Sequence, residues 1–584
     1  MMIKRTPVIR DCFKIASESH GLDKILTPEE TLKRFQKKLE ESGLKILKEV
    51  KRIDNGRLGI PVYFSICDQD ALKIIGTKKQ MGKGATEAQA KASACMELAE
   101  RFSIFSFRND DQYFLEANFS KIKTSGYPHI SIEAFLKSVN DDSTSIEKAE
   151  KILNLITLKW CWAKDLVTQK DILVPFDWFF LINQYNGSSA GNSIEEAAVQ
   201  AICEVIERDV CYKIATNHLK TPTINLESIK NPVAKELIKK FLANDINLIL
   251  KDFSLNTGVP TVGVLAWDPS TFPVKSEIVY TAGTTTEPEK SVIRALTEVA
   301  QLAGDFNSAS SYEPSGLPKP QNLEEVSYII KDQSIIDIEK LPNIASNNLA
   351  KEINSLVNTL KDRCNYDTFL IDITHPVLNI PSVYAIIAGA EFRERASTKN
   401  IALFAAKLLS EKGDIKSIIE LSKIVRDAYF IYFFLAKDNY ERGQLKEACD
   451  YFKKALDVCN STEDIPYILS YLGLCLKDMK DYDNAIKVLK DALKYDPNRP
   501  DVYNIIGTCL FYQKRHKEAI EMFLKAVDLN PSSAVDWANI GINYLELGET
   551  EPAIEFLKIA LTIDPDLDFA KKRLNLALKK QNSY

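Results

Sequence analysis

Two hydrophobic rhythms divide the chain. Through about residue 425, short β-rich runs such as Phe369-Leu370-Ile371 alternate with helical stretches, which predicts an α/β or α+β fold. From about residue 430 the β-branched clusters thin out and helix formers take over. There the chain repeats itself. Asp-Pro or Asn-Pro recurs at Pro497, Pro531 and Pro565, and Ala485, Ala519 and Ala553 recur with the same period of 34 residues. An earlier copy puts Ala448 and Phe452 in register after a three-residue insertion. Such a period marks stacked helix pairs that bury a continuous core. The predicted architecture is therefore an α/β (α+β) domain over residues 1–428, followed by an all-α repeat solenoid over 429–584.

Within the α/β domain, the same strand-loop-helix pattern occurs three times. Gly84-Ala85-Thr86 opens a helix through Ala90, Ala94, Glu97, Glu100 and Arg101; Gly191-Asn192-Ser193 opens one through Ala197, Ala201, Glu204, Glu207 and Arg208. The third follows Gly283-Thr284-Thr285 and Pro288 and runs through Arg294, Ala295, Glu298 and Gln301. Thr86 with Gln89, and Ser193 with Glu196, form the Ser/Thr-x-x-Glu/Gln capping box. The first key glutamate comes eleven residues after the cap position in every copy: Thr86 to Glu97, Ser193 to Glu204, Glu287 to Glu298. That is roughly 16 Å along a helix, so these glutamates lie on helix bodies. The first two helices are apolar nearly all round, which predicts burial, and a buried carboxylate needs a cation.

On its own, a Glu100-Arg101 or Glu207-Arg208 pair reads as a solvated rim. Three copies at one helix depth, with matching caps and small residues, predict a shared acidic centre instead. Its five carboxylates face three guanidiniums, Arg101, Arg208 and Arg294, an excess of two negative charges. The five histidines (His20, His129, His218, His375 and His516) and eleven cysteines make no zinc spacing and no Cys-x-x-Cys pair. Any metal must be held by oxygen, which favours Mg²⁺, the usual bridge between carboxylates and nucleotide phosphates. The acidic ring thus suits metal-bound ATP. Gly82-Lys83-Gly84-Ala85-Thr86 has Gly84 where a P-loop needs Ser or Thr, so ATP would bind by another architecture.

Composition narrows the classes. The 584 residues are 45% apolar and 27% charged, and 75 Lys+Arg against 80 Asp+Glu leave a formal charge of −5. Wholesale disorder and a polybasic nucleic-acid binder are disfavoured. No apolar run approaches the ~18 residues of a membrane span, and Lys4, Arg5, Arg10, Asp11 and Lys14 punctuate the start, so neither span nor signal peptide is expected. Scattered cysteines in apolar runs fit reduced thiols and a cytoplasmic location.

The repeats resemble the tetratricopeptide family: Trp537, Ile540, Gly541, Tyr544, Ala553 and Pro565 in one copy, and Tyr503, Ile506, Gly507, Ala519, Phe523 and Pro531 in the one before. They are expected to form a scaffold or dimerisation surface, or a groove for a polypeptide. Upstream, Gly82-Lys83-Gly84 leads to Ser93-x-x-x-Glu97-x-x-Glu100-Arg101. Ser189-Ala190-Gly191-Asn192-Ser193 leads to Glu204-x-x-Glu207-Arg208, and Arg294-x-x-x-Glu298 follows. With Asp372-Ile373-Thr374-His375-Pro376, Ile380-Pro381 and Gly389-Ala390, these motifs resemble the YcaO family over roughly residues 15–425.

That resemblance implies ATP-dependent activation of a peptide backbone amide, a post-translational modification of the cyclodehydratase or thioamidation type. A nucleophile adds to the amide carbon, ATP phosphorylates the oxyanion, and phosphate loss gives an azoline, thioamide or amidine. Carried over by position, Glu97, Glu100, Glu204, Glu207 and Glu298 would ligate Mg²⁺. Lys24, Ser93, Ser189, Asn192, Glu196, Arg208 and Arg294 would contact ATP, with Arg208, Arg294 and Glu207 as the catalytic groups. Partners implied are a peptide or protein substrate, a helper or sulfur-donor protein and a second copy in a homodimer, with no nucleic acid or membrane. Many azoline-forming members end in a proline-rich tail, whereas this chain ends Lys579-Lys580-Gln581-Asn582-Ser583-Tyr584. Thioamidation, or help to another modifying enzyme, therefore stays open, as does a tetratricopeptide adaptor whose ATP site is regulatory. His375, after an apolar strand and before Pro376, is expected to be structural.

Overall fold

Local chemistry sets where the key helices begin. Thr27 caps the helix Pro28–Ser42 (α1): its hydroxyl accepts from the Glu30 amide at 3.2 Å, and the Glu30 carboxylate accepts from the Thr27 amide at 2.9 Å. The Thr86 hydroxyl accepts from the Gln89 amide at the start of Glu87–Arg108 (α2), and the Ser193 hydroxyl from the Glu196 amide at the start of Ile194–Asn217 (α3). The reciprocal half of those two expected boxes is replaced. Gln89 accepts from the Ala85 amide, and Glu196 accepts from the backbone and side chain of Asn192. In both cases the side chain passes over the cap residue to the one before it. Pro288–Ala303 (α4) has Glu287 in the cap position without a side-chain bond and Pro288 in its first turn, where a missing amide costs nothing.

The computed structural model describes residues 2–15, 24–306, 320–331, 334–392 and 399–581; His20 and Asn582 to Tyr584 lie outside them. Two compact units emerge, Met1–Ile401 and Ala402–Tyr584. Among the described residues the first holds three sheets. Leu47–Arg52, Val62–Cys67 and Lys79–Lys83 make an antiparallel sheet in that order. A five-stranded mixed sheet runs Val279–Thr284, Thr261–Trp267, Asn247–Asp252, Thr223–Ile224, Ile335–Ile336. A six-stranded antiparallel sheet runs Leu115–Ala117, Leu158–Asp165, Asp367–Asp372, Ser382–Ala388, Ser188–Ala190, with Asp171–Pro175 on the second strand.

Each glutamate helix packs on its own core. Leu98, Ala99 and Phe102 of α2 join Phe35 of α1; Ile202, Val205 and Ile206 of α3 join Tyr280, Val383 and Ala385; Val292, Leu296 and Val299 of α4 join Phe241, Val262 and Val264. At about 1.5–3 kcal/mol per fully buried Leu, Val or Phe side chain, this packing holds the helices and carries their carboxylates inward. Two glycines let strand meet helix. A Cβ on Gly82 would lie 2.0 Å from the Ala94 nitrogen, and one on Gly283 would lie 2.4 Å from the Ala295 nitrogen. Only hydrogen fits at either contact.

The second unit is helical throughout its described residues. Helix Ile415–Ile424 precedes four hairpins, Tyr429–Glu441 with Leu445–Val458, Ile465–Asp478 with Tyr482–Tyr495, Pro500–Tyr512 with His516–Leu529, and Ala534–Glu546 with Thr550–Ile563. Asp568–Gln581 follows them. The period is visible in the packing. Ala485, Ala519 and Ala553 are fully buried, and Cβ atoms on Gly473, Gly507 and Gly541 would collide with Leu489, Phe523 and Leu557. Among the described residues no helix is long and apolar enough to cross a membrane.

Candidate functional site

The five glutamates of α2, α3 and α4 are each held by a basic side chain, and those pairs lie within electrostatic reach of one another. On α2, the Arg101 guanidinium clamps Glu97 at 2.6 Å and Glu100 at 2.9 Å and lies 3.9 Å over the Tyr185 ring. Glu100 also accepts from the Ser188 hydroxyl at 2.6 Å. On α3, Glu204 accepts from the Gly187 amide at 3.4 Å and lies 3.8 Å from Arg208. Glu207 accepts from the Thr284 amide at 2.9 Å, where its strand ends, and faces Arg294 of α4 at 3.6 Å. Glu298, one turn beyond Arg294, pairs with the Lys83 ammonium at the end of the Lys79–Lys83 strand.

Burial governs the charges. It pushes the Glu100 carboxyl well above the usual carboxylate range, helped by Glu97 and opposed by Arg101. It also raises Glu204, against the pull of Arg208 and Arg101. Burial, with Arg294 beside it, brings the Lys83 ammonium down to about 7 despite Glu207 and Glu97. Counted as fully ionised, five carboxylates face four cations, and burial answers that costly excess by favouring the protonated form of Glu100 and Glu204. A further cation would relieve it. The donor set is all carboxylate oxygen, which fits Mg²⁺ and not zinc. Among the described residues no three His, Cys, Asp or Glu side chains are drawn together as a ready metal-ligand set. Lys83, Arg101, Arg208 and Arg294 hold the carboxylates instead.

A second group forms at the start of α3. Glu196, 4% exposed, accepts from the Asn192 amide and side chain at 3.2 Å and from the Ile25 amide at 3.1 Å, and Lys24 stands 3.6 Å away. Asn192 also donates to the Thr31 hydroxyl at 2.9 Å. Glu196 therefore ties the segment before α1 to α3. Eight residues along α3, about 12 Å, separate it from Glu204. Ser93 lies one turn before Glu97 on α2, and Ser189 follows Ser188 in its strand, pairing with Val383, so both adjoin the acidic group along the chain.

Lys83, Ser188, Tyr185 and the Thr284 amide also join the acidic group, although the sequence assigns none of them a role there. The glycines flanking Lys83 are its one signal, because a strand pressed this closely on a helix fixes the direction of its last side chain. His375 stands apart from the acidic group. Its ring lies 4.9 Å from Phe102, and Nδ1 accepts from the Val377 and Leu378 amides at 3.3 and 3.1 Å.

Known proteins resemble this chain in sequence and in fold. The profile described as YcaO cyclodehydratase, ATP- and Mg²⁺-binding, matches residues 81–391. The profile of anaphase-promoting complex (cyclosome) subunit 3 matches residues 444–526 and again 478–560, windows offset by one repeat. An uncharacterised protein of Methanothermobacter thermautotrophicus is 26% identical over 392 residues, 62% of this chain and 94% of its own. The ribosomal protein S12 methylthiotransferase accessory factor YcaO of Escherichia coli is 25% identical over 263 residues, 41% of this chain and 43% of that protein. A solved heterocyclase in complex with substrate and cofactor has the same fold, with a TM-score of 0.51 and 21% identity, over 65% of this chain and 54% of that one.

Proposed function

Because this chain belongs to the YcaO family, carrying tetratricopeptide-like repeats after the family domain, we propose that it activates a backbone amide of a peptide or protein with Mg-ATP, for thioamide or azoline-type modification. The observation that carries the reading is the gathering of five carboxylates from three helices with an incomplete set of internal cations. Glu97, Glu100, Glu204, Glu207 and Glu298 would hold Mg²⁺. Lys24, Ser93, Ser189, Asn192, Glu196, Arg208 and Arg294 would hold the nucleotide. When bound, Mg-ATP supplies the phosphoryl group that turns a poor leaving group, the amide oxygen, into phosphate. Arg208 and Arg294 bring fixed positive charge to that transfer, where preorganised donors count most. Glu207, fastened to the Thr284 amide, orients Arg294. The repeats would recruit the substrate or a partner, including a sulfur donor, and the working form would be a homodimer.

ATP turnover with peptide substrate tests this. Glu97→Gln and Glu204→Gln should each lower kcat by about 10²-fold or more. Equal, slow hydrolysis by parent and both variants would sink the catalytic reading, and unchanged nucleotide affinity in both would sink the shared metal centre. The role that the Escherichia coli relative is named for favours a second reading, an accessory factor to another modifying enzyme. A repeat adaptor with a regulatory ATP site is the related form. Mass spectrometry of host peptides with and without this chain, alone and with its partner enzyme, separates these readings.

A further inference from the structure

Lys83 differs from the other cations of the acidic group in origin and chemistry. Arg101 and Arg208 each reach a glutamate four residues back on their own helix, and Arg294 reaches across from α4 to α3. Lys83 comes from the end of a strand and meets Glu298, the carboxylate α4 contributes. Its backbone has no slack. A Cβ on Gly82 would meet the Ala94 nitrogen and one on Gly84 the Ala90 nitrogen, so the strand is pressed onto α2 on both sides of it. The side chain is 21% exposed and lies among Arg294, Glu207, Glu97 and Arg208. An arginine fork spreads its charge over a plane, whereas an ammonium is a compact point charge on a flexible stem. In size of charge and choice of ligand, it is the closest a side chain comes to a metal ion.

We propose that Lys83 is a resident cation: it holds Glu298 while no metal nucleotide is bound and must leave that carboxylate before Mg²⁺ can take it. The inference rests on the reading of Glu298 as a metal ligand. Mg²⁺ demands close, near-octahedral oxygen contacts, and two cations on one carboxylate repel each other. The bare protein then binds metal poorly, and metal is admitted together with nucleotide, whose phosphates neutralise it and offer the displaced ammonium a new anion.

The test uses Mn²⁺ as a spectroscopic stand-in and the non-hydrolysable analogue AMP-PNP, on the full chain. Paramagnetic titration should show Lys83→Met binding Mn²⁺ without nucleotide about 10-fold or more tighter than the parent, with Lys83→Arg close to the parent. Lys83→Gln serves the same purpose should the methionine variant fail to fold. In the unaltered chain, the acetylation rate of Lys83 by an N-hydroxysuccinimide ester, read by peptide mass spectrometry, should change several-fold when Mg²⁺ and AMP-PNP are added. An unchanged rate overturns the proposal. So does a parent that binds Mn²⁺ with AMP-PNP while the neutral variants bind bare Mn²⁺ no tighter. If the parent takes up neither Mn²⁺ nor AMP-PNP, the reading of the five glutamates fails first, and this inference falls with it.

Discussion

His375 shows what burial does to one titratable side chain. Its environment lowers the imidazole pKa, chiefly by burial and then through Arg5, while its Nδ1 is used as an acceptor for two backbone amides. The unfolded chain therefore binds this proton more readily than the folded one. Stability is greatest above the ordinary imidazole value of about 6.5 and is lost as pH falls through the lowered folded value. His375→Asn keeps an acceptor in reach but cannot titrate. Urea midpoints at pH 7.5 and pH 5 should fall less in the variant than in the parent, and an equal fall in both would remove His375 as the cause. At this scale the sequence is readable where residues recur. Glu97, Glu204 and Glu298 stand out by their common depth after a cap. A single lysine or serine carries no period, so Lys83 and Ser188 become legible only once strands are laid against helices.

Elements tell the same story through their ends and contacts. The cap residues Thr86 and Ser193 mark the starts of α2 and α3 correctly, since each needs only local geometry. The far half of the Ser193 box depends on Glu196, and there Asn192 and the distant Lys24 and Ile25 compete for the carboxylate. The neighbouring Asn192 and the distant Ile25 together displace the Ser193 amide that the local pattern expects. Strand-to-helix distance is equally hidden, because the glycines that permit it look like turn residues in the sequence. Gly82→Ala should destabilise the protein by about 2–3 kcal/mol, since the added Cβ meets helix backbone that cannot move aside as a side chain would. Chemical denaturation checks the value. A change below about 0.5 kcal/mol would mean that the strand and α2 separate freely, and the fixed direction of Lys83 would lose its support.

At the scale of the molecule, the period of 34 is the strongest signal in the chain, because every repeat must present the same small and large residues to its neighbours. Where the first domain ends is harder to read, for helix Ile415–Ile424 lies ahead of the first repeat pair and belongs to the second compact unit. Every residue assigned to metal or nucleotide lies before Ile401. A chain ending at residue 428 should therefore keep Mg²⁺-AMP-PNP affinity within about threefold of the full chain, less than about 1 kcal/mol, as calorimetry would measure. If the repeats recruit substrate, the truncation should raise KM for a peptide substrate while leaving kcat at saturation nearly intact, because recruitment adds binding that is equal in ground and transition states. Circular dichroism must first show the truncated chain folded, since cutting a stacked array exposes apolar surface. A folded truncation that no longer binds nucleotide would mean that residues beyond 428 take part in the ATP site. One that binds nucleotide but loses kcat along with peptide affinity would mean that the repeats act in the chemical step and not in recruitment alone.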